Sequence, residues 1–205
     1  FWPLGGLTRY HLGASGASGR LLNVLYFLMA ILTVNAGSSS LKFSIYPTKQ
    51  GSVLPSIFSG SFEGLEPGGK TELRYAYQGV EHAQYFDDPN QDPFIAALTH
   101  LKELLLEIKS LPPIRAVAHR IVHGGSEFFQ SLVSTDAILE KLSAISALAP
   151  LHQPHSLDGV KAFAQVFPGI PQVLCFDTAF HKTMSHLETS LALPKEITDQ
   201  GVRRY

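Results

Sequence analysis

Cysteine is nearly absent from this chain of 205 residues, in which Cys175 is the single example. One cysteine excludes an internal disulfide and the zinc modules that depend on several thiolates. A basic excess is missing too, because 16 Lys and Arg residues are balanced by 17 Asp and Glu residues, which gives a net charge of −1. Proteins that hold a nucleic-acid backbone by bulk electrostatics carry such an excess, so we expect no nucleic-acid partner.

Charged residues of both signs are scarce, at 16% of the sequence against about 25% in an average protein. Apolar residues make up 45%, which is enough to bury a core and is not typical of a disordered chain. The longest apolar run, residues 21–34, is shorter than the roughly 20 residues that a membrane-spanning helix requires. We therefore expect about one globular domain and no membrane partner.

The first residues have a different composition from the rest. Residues 1–20 are rich in glycine, serine and alanine and show no periodicity, which is typical of flexible chain. The apolar run after them could be the core of a secretory signal. Cleavage after it would remove half of a polar loop that is the strongest candidate site. We therefore prefer Met29 as the start of the domain, and interpret residues 1–28 as a non-native or disordered extension.

Two spacings of apolar residues divide the remaining chain into elements: every second residue in strands, and every third or fourth residue in helices. Strands are predicted at 31–34, 41–46, 53–62, 71–77, 114–122 and 172–176. Helices are predicted at 93–111, with Asp92 as N-cap, at 135–148 and at 156–166. A polar connection with a turn at 88–90 is predicted for 81–92. Early hairpins followed by alternating helices and strands imply an α/β fold, in which a mixed sheet is flanked by helices.

Residues 64–71 fit the spacing G-x-x-x-x-G-K-[ST] of a phosphate-binding P-loop. A P-loop is followed by a helix, whose N-terminus helps to hold the phosphates. The residues from Thr71 onward alternate with strand period instead. We therefore interpret this segment as a turn between two strands, with Pro67 and Gly68 as ordinary turn residues.

The first candidate site is the polar loop at 35–42 (NAGSSSLK). Its glycine and serines, Ser38 and Ser40 among them, offer N–H groups and hydroxyls that suit phosphate oxygens. Asn35 supplies an amide oxygen that can reach a metal ion directly or through water. Lys42 supplies a cation on the polar face of the second strand. A serine-rich turn with a solvent-facing lysine is the alternative.

The second candidate site contains Arg120, which lies in an apolar strand where an unpaired charge is costly. Strand alternation puts Arg120 and Val122 on one face, so that a guanidinium lies beside a small apolar wall. This pair suits a short carboxylate with an alkyl tail, and an ion pair with a structural carboxylate is the alternative. His119 and His123 would lie roughly 13 Å apart on a strand, too far to share a metal ion.

The third candidate site is Asp177, which directly follows a buried strand, a usual place for a catalytic carboxylate in α/β folds. It could bind a metal, act as a base or cap the next turn. His152 lies in a proline-bounded loop, from which it could donate a hydrogen bond to an anion, and a surface histidine is the alternative. Cys175 lies within the apolar strand and is interpreted as a core residue.

Taken together, these segments resemble the acetate kinase (acetokinase) family, within the superfamily of acetate and sugar kinases, Hsp70 and actin. The segments that carry the resemblance are residues 33–43, 119–125, 149–152 and 176–181. The resemblance implies a ribonuclease H-like mixed sheet, in which early antiparallel hairpins are followed by parallel strands. It also implies that residues 29–205 are the N-terminal domain of an acetate kinase whose C-terminal domain is absent.

The resemblance implies a reversible, Mg²⁺-dependent reaction in which ATP phosphorylates acetate to acetyl phosphate and leaves ADP. Asn35 would help to place the magnesium ion. Ser38, Ser40 and Lys42 would bind ATP near the phosphoryl group that is transferred. Such transfer depends mostly on positioning and on neutralisation of charge.

The same resemblance gives roles to the other two sites. Arg120 would hold the acetate carboxylate, with Val122 beside the methyl group. His152 would hydrogen-bond the phosphoryl oxygens, and Asp177 would be the catalytic acidic residue. Because a carboxylate substrate is already ionised at pH 7, Asp177 need not act as a base towards it. We assign Asp177 to orientation of metal and substrate.

The family continues beyond the last residues of this chain with a catalytic histidine, a second catalytic arginine, a magnesium-binding glutamate and adenosine-binding loops. We therefore expect the chain alone to be inactive, and the full-length protein to be a cytoplasmic homodimer. The alternatives are a propionate or butyrate kinase fragment and a non-catalytic module that binds phosphate or carboxylate.

Overall fold

The computed structural model of the chain describes residues 29–86 and 92–205. The predicted extension at 1–28 and the predicted turn at 88–90 lie outside the described residues. The strands are β1 (Met29–Ala36), β2 (Ser40–Lys49), β3 (Ser52–Val53), β4 (Phe58–Glu63), β5 (Thr71–Tyr77), β6 (Val80–Phe86), β7 (Ile114–Ile121), β8 (Leu132–Val133) and β9 (Gln172–Phe176). The helices are α1 (Pro93–Glu107), α2 (Asp136–Ala144), α3 (Gln153–Val166), α4 (His186–Thr189) and α5 (Lys195–Thr198), with 3₁₀ helices at Ser146–Leu148 and Asp177–His181.

These strands join one sheet in the order β6-β5-β4-β2-β1-β7-β9-β8, with β3 paired to β2. β1, β7 and β9 run parallel, whereas β2, β4, β5 and β6 form antiparallel hairpins. The predicted fold class is confirmed: an α/β, ribonuclease H-like mixed sheet that begins with antiparallel hairpins, continues with parallel strands and is flanked by helices. Among the described residues, no helix is both long and apolar enough to cross a lipid bilayer.

The core lies on one face of the sheet. Buried residues alternate with more exposed ones along β1, β2 and β7, because successive side chains of a strand point to opposite faces. The buried face packs against α1 and α3 in a core that includes Leu32, Leu98 and Phe163. At Gly159 of α3, an added Cβ atom would lie 3.0 Å from the Cβ of Ala36. Glycine there lets α3 pack closely on the end of β1.

The hairpin strands are held by aromatic rings that contact one another. Phe58 contacts the rings of Phe43, Tyr75 and Tyr77 with centroid distances of 5.4–6.0 Å. Such pairs stabilise by about 0.5–1.5 kcal/mol each beyond the area that they bury. Phe58 is 1% exposed, so it is the central residue of this cluster.

Several predicted boundaries were wrong. The polar connection predicted at 81–92 begins with the edge strand β6, whose residues are almost all exposed and so lack the alternation of a half-buried strand. Main-chain pairing with β5 along its whole length holds this strand in place. The strand predicted at 53–62 and the helix predicted at 135–148 each divide into two shorter elements.

The helix starts follow capping chemistry. Asp92 caps α1 as predicted, because its Oδ1 atom accepts hydrogen bonds from the N–H groups of Phe94 and Ile95 at 3.0 Å. α3 begins at Gln153, before the predicted start at 156. Pro154 is compatible with this earlier start, since the first helical turn needs no N–H donor at that position.

The P-loop-like segment 64–71 is a hairpin connection, as predicted. It joins the antiparallel strands β4 and β5, and Thr71 begins a strand rather than a helix. Gly64 has a φ of +74°, and a Cβ atom there would lie 2.2 Å from the carbonyl oxygen of Lys70. The glycine therefore serves a tight turn, and no helix N-terminus follows to hold a phosphate.

Candidate carboxylate and phosphate site

A polar cavity of about 160 Å³ lies at the carboxyl ends of the parallel strands β1 and β7. Its walls come from the β1–β2 loop, the end of β7 and the first turn of α3. Seven of the eight predicted site residues line it: Asn35, Ser38, Ser40, Lys42, Arg120, Val122 and His152. The eighth, Asp177, contacts Arg120. The structure thus brings together residues that are up to 142 positions apart in the sequence.

The β1–β2 loop forms one wall of the cavity. Asn35 and Lys42 are directly opposite each other in the hairpin, so their side chains lie on the same face. The N–H of Gly37 donates to the carbonyl oxygen of Ser40 at 2.8 Å, which closes the loop. A loop fixed in this way holds Ser38 and Ser40 at the cavity instead of leaving them in a mobile connection.

Arg120 lies between two other predicted site residues. Its Nε donates to both carboxylate oxygens of Asp177 at 3.0 Å, and its Nη2 donates to Oδ2 at 2.7 Å. Its Nη1 donates to Oδ1 of Asn35 at 3.4 Å. These bonds to Asp177 raise the pKa of Arg120, which therefore stays charged. The Asp177 carboxylate thus pairs with Arg120 rather than capping the 3₁₀ helix that it begins.

The guanidinium of Arg120 has spare donors. A guanidinium carries five N–H groups, and the contacts with Asp177 and Asn35 engage three of them. Among the residues that the structure describes, one N–H on each of the two Nη atoms has no partner, and two such donors can bind the oxygens of a carboxylate. The side chain is 52% exposed and lines the cavity beside Val122. Arg120 can therefore receive a second, external carboxylate without releasing Asp177.

The first turn of α3 forms another wall of the cavity. His152, His155 and Ser156 line the cavity there. Ser156 donates from both its N–H and its Oγ to the carbonyl oxygen of His152 at 3.1 Å, which fixes the turn. The N-terminal end of a helix carries a partial positive charge. This charge and the basic side chains make the cavity attractive to anions.

The two histidines of the β7 motif have separate surroundings. His119 is buried, with its Nε2 2.7 Å from Oε1 of Gln172 and its ring edge-on to Phe163. Burial lowers the pKa of His119 to about 4, so its ring is neutral at pH 7. His123 lies beyond the strand end, where its Nδ1 accepts a hydrogen bond from the N–H of Gly125 at 2.8 Å. Each ring is thus engaged in its own structural contact.

Oxygen ligands for a metal are few. Within the part of the chain that the structure describes, no three His, Cys, Asp or Glu side chains are grouped to hold a metal ion. Asn35 and Asp177 bring an amide oxygen and a carboxylate to the same guanidinium. Mg²⁺ at nucleotide sites typically takes one or two protein oxygens and completes its shell with water and phosphate. The donor set therefore fits a magnesium ion that arrives with a nucleotide.

Comparison with models of protein families shows which family the chain belongs to. The family model described as "Acetokinase family" matches residues 30–205. This chain belongs to the acetokinase family. The acetokinase resemblance inferred from the four motifs is thereby confirmed, and the matched region begins one residue after Met29.

Curated proteins and solved structures show which members of the family this acetokinase chain is similar to. It is 36% identical over 180 residues to an acetate kinase of Halothermothrix orenii and 39% identical over 180 residues to one of Shouchella clausii. Among solved structures, it is similar to a propionate kinase from Francisella tularensis (35% identity, TM-score 0.75) and to the acetate kinase of Porphyromonas gingivalis (34% identity, TM-score 0.71). These matches cover 85–86% of the chain but only 44% of each relative.

Sequence reasoning about this acetokinase chain missed several residues of the site. Leu151 and His155 line the cavity, and Thr178 accepts a hydrogen bond from the N–H of Gly124 at 3.0 Å. Gln153 contacts the main chain of His123. Each is a neighbour of a predicted residue, but nothing in its spacing shows which way its side chain points.

Proposed function

We propose that this chain supplies the acetate- and phosphoryl-binding part of an ATP-dependent acetate kinase, which converts acetate and ATP reversibly to acetyl phosphate and ADP. The observation that carries this proposal is Arg120, held by Asp177 and Asn35 with two N–H groups to spare beside Val122. A guanidinium next to a small apolar wall is complementary to a short carboxylate with an alkyl tail.

The remaining cavity residues suit the phosphoryl group. Lys42, Ser38, Ser40 and His152 offer a cation and hydrogen-bond donors on the other walls, as neutralisation of phosphoryl charge requires. We assign to Asn35 and Asp177 the role of holding Mg²⁺, which would neutralise nucleotide phosphates when bound. The substrate carboxylate is ionised at pH 7, so it needs no base. The residues therefore act by holding two anionic groups close together in fixed positions.

The small apolar side chain of Val122 in the same cavity wall as Arg120 favours an acid with few carbons. Propionate is the second candidate substrate, since a solved relative with a TM-score of 0.75 is named a propionate kinase. Butyrate is longer and would need more space beside Val122. We propose acetate as the preferred acid, and comparison of the three acids tests that order.

We further propose that residues 29–205 form the N-terminal domain of this kinase, and that the whole protein is a cytoplasmic homodimer. The chain spans 44% of the relatives that it matches. We propose that turnover requires the part of those relatives that this chain does not cover, so the chain alone would bind the acid without phosphorylating it.

A binding titration tests the carboxylate site. Acetate, propionate and butyrate are titrated separately into the ¹⁵N-labelled chain, with the side-chain Nε–H resonance of Arg120 as the reporter. We expect saturable binding that is tightest for acetate, and at least a tenfold loss of acetate affinity in Arg120→Ala, measured by calorimetry. The matched control is Arg115→Ala, which removes an exposed arginine from the same strand and should change acetate affinity less than about twofold. Equal affinities in the two variants would contradict the proposal.

A second assay addresses catalysis. The chain is incubated with acetate, ATP and Mg²⁺, and acetyl phosphate is trapped with hydroxylamine. We expect no product from the chain alone. Acetate binding without product, even when the longer protein is assayed, would leave the non-catalytic binding module as the function. Product from the chain alone would show that the proposed need for a further domain is wrong.

A further inference from the structure

The main chain beyond the end of β7 is held by side chains rather than by a neighbouring strand. β7 ends at Ile121, and buried backbone N–H and C=O groups beyond it still need partners. The N–H of Gly124 donates to Oγ1 of Thr178, and the N–H of Gly125 donates to Nδ1 of His123. The main-chain N–H and carbonyl groups of His123 are both bound by one side chain, that of Gln153.

The side-chain amide of Gln153 both donates to and accepts from the main chain of His123. Its Nε2 donates to the carbonyl oxygen of His123 at 2.8 Å, and its Oε1 accepts from the N–H of His123 at 3.2 Å. The side-chain amide thus replaces the main chain of a neighbouring strand. Gln153 is 0% exposed, so water does not compete for these two hydrogen bonds.

The hydrogen bonds between Gln153 and His123 connect two walls of the cavity. Gln153 directly follows His152, which is assigned to the phosphoryl group. His123 directly follows Val122, which lies beside the carboxylate site with Arg120. One buried amide therefore connects the main chain at the carboxylate wall to the main chain at the phosphoryl wall, across 30 residues of sequence.

We propose that Gln153 is a positioning residue, which sets the distance between the carboxylate-binding and phosphoryl-binding groups of the cavity. This inference rests on the proposed function. The length of the side chain suits the role, because an asparagine at the same helix position is one methylene shorter and would hold its amide farther from the two backbone groups of His123. Glutamate keeps the length but replaces the N–H donor with an oxygen that faces the carbonyl of His123, so it loses one bond.

Acetyl phosphate provides the test, because it occupies both walls at once whereas acetate and inorganic phosphate each occupy one. Dissociation constants of the three compounds are measured by calorimetry for the wild-type chain and for Gln153→Asn. We expect acetyl phosphate to bind about tenfold more weakly to the variant, since the benefit of joining two ligands depends on correct spacing. Acetate and phosphate alone should change less than about twofold, because each wall stays intact.

Gln172→Asn is the matched control. Gln172 is also a buried glutamine, 6% exposed, and it binds His119 and the carbonyl oxygen of Ile170 at the start of β9. We expect it to lower the free energy of unfolding but leave acetyl phosphate binding unchanged. Should Gln153→Asn fail to fold, Gln153→Met, which keeps the length of the side chain without its two hydrogen bonds and buries no charge, is measured in the same way.

Four outcomes would overturn the inference. Unchanged acetyl phosphate affinity in the folded variant would show that Gln153 does not set the spacing. An equal loss for all three compounds, or the same loss in Gln172→Asn, would show a general effect on folding. If the wild-type chain binds neither acetate nor acetyl phosphate, the proposed function itself fails, and the inference fails with it.

Discussion

The two halves of the sheet differ in how they are stabilised and in what they carry. The hairpin half, β2 with β4, β5 and β6, is held by aromatic rings that pack around Phe58. The parallel half, β1 with β7 and β9, ends in polar groups that bind one another: Arg120 with Asp177 and Asn35, and Gln153 with His123. Both halves bury apolar area, but only the parallel half also holds a guanidinium and a carboxylate in a fixed arrangement at its carboxyl ends.

This difference follows from the way in which parallel and antiparallel strands of a mixed sheet are connected. Parallel strands end at the same edge, so the loops that follow them meet there and bring distant residues together. Antiparallel hairpins connect through short turns, such as the one at 64–71, and bring together only residues that are near in sequence. A substitution in the aromatic cluster of the hairpin half should therefore change stability, and one at the carboxyl ends of the parallel strands should change binding.

The largest effect is expected for Phe58→Ala in the hairpin half. Loss of a ring that is 1% exposed should lower the free energy of unfolding by about 3–5 kcal/mol, measured by urea denaturation. Acetate affinity should stay within about twofold of the wild-type value in the folded protein. Phe180→Ala, at a ring that is 85% exposed, is the control and should cost little. A loss of acetate affinity in folded Phe58→Ala would show that the two halves are not independent.

His119, which lies in the parallel half, should make the free energy of unfolding depend on pH. Burial lowers the pKa of His119 to about 4, whereas an unfolded histidine has a pKa of about 6.5. Between these values the unfolded chain binds a proton that the folded chain does not. The free energy of unfolding should therefore fall by on the order of 3 kcal/mol as the pH drops from about 6.5 to about 4.

His119→Gln provides the comparison for this pH effect, since glutamine does not titrate and can still meet Gln172. Urea midpoints across the pH range should fall less steeply in the variant than in the wild type. His123, whose pKa is also lowered by burial, is present in both proteins and cancels from the difference. The same slope in both proteins would show that His119 does not control acid stability.

The smallest effect is expected for Asp177→Asn at the carboxyl ends of the parallel strands. An amide keeps an oxygen for Arg120 but removes a negative charge next to the bound acid, so acetate affinity should rise about threefold. Asp158→Asn, at an exposed carboxylate 3.5 Å from Lys161, should change nothing at the cavity. A loss of acetate affinity of tenfold or more would show instead that Asp177 is needed to hold Arg120 in place.

The sequence predicted which residues lie around one cavity better than it predicted the boundaries of some strands and helices. Asn35, Arg120 and His152 stand in motifs whose chemistry is unusual for a turn, a strand and a loop, and seven of the predicted residues line one cavity. The edge strand β6 was missed, because its exposed residues have no alternation and only pairing with β5 makes it a strand. Gln153 was missed, because its function depends on a backbone group 30 residues away.

The sequence by itself determined the mixed α/β class, the four motifs and the balance of charge. Hydrophobic period and motif spacing are local properties, so they can be read along the chain. Only the tertiary structure decided that Arg120 pairs with Asp177, with two N–H groups left without a partner among the described residues, and that Gln153 binds the main chain of His123. Hydrogen bonds between distant residues depend on directions and distances in the folded molecule, which no pattern of neighbouring residues contains.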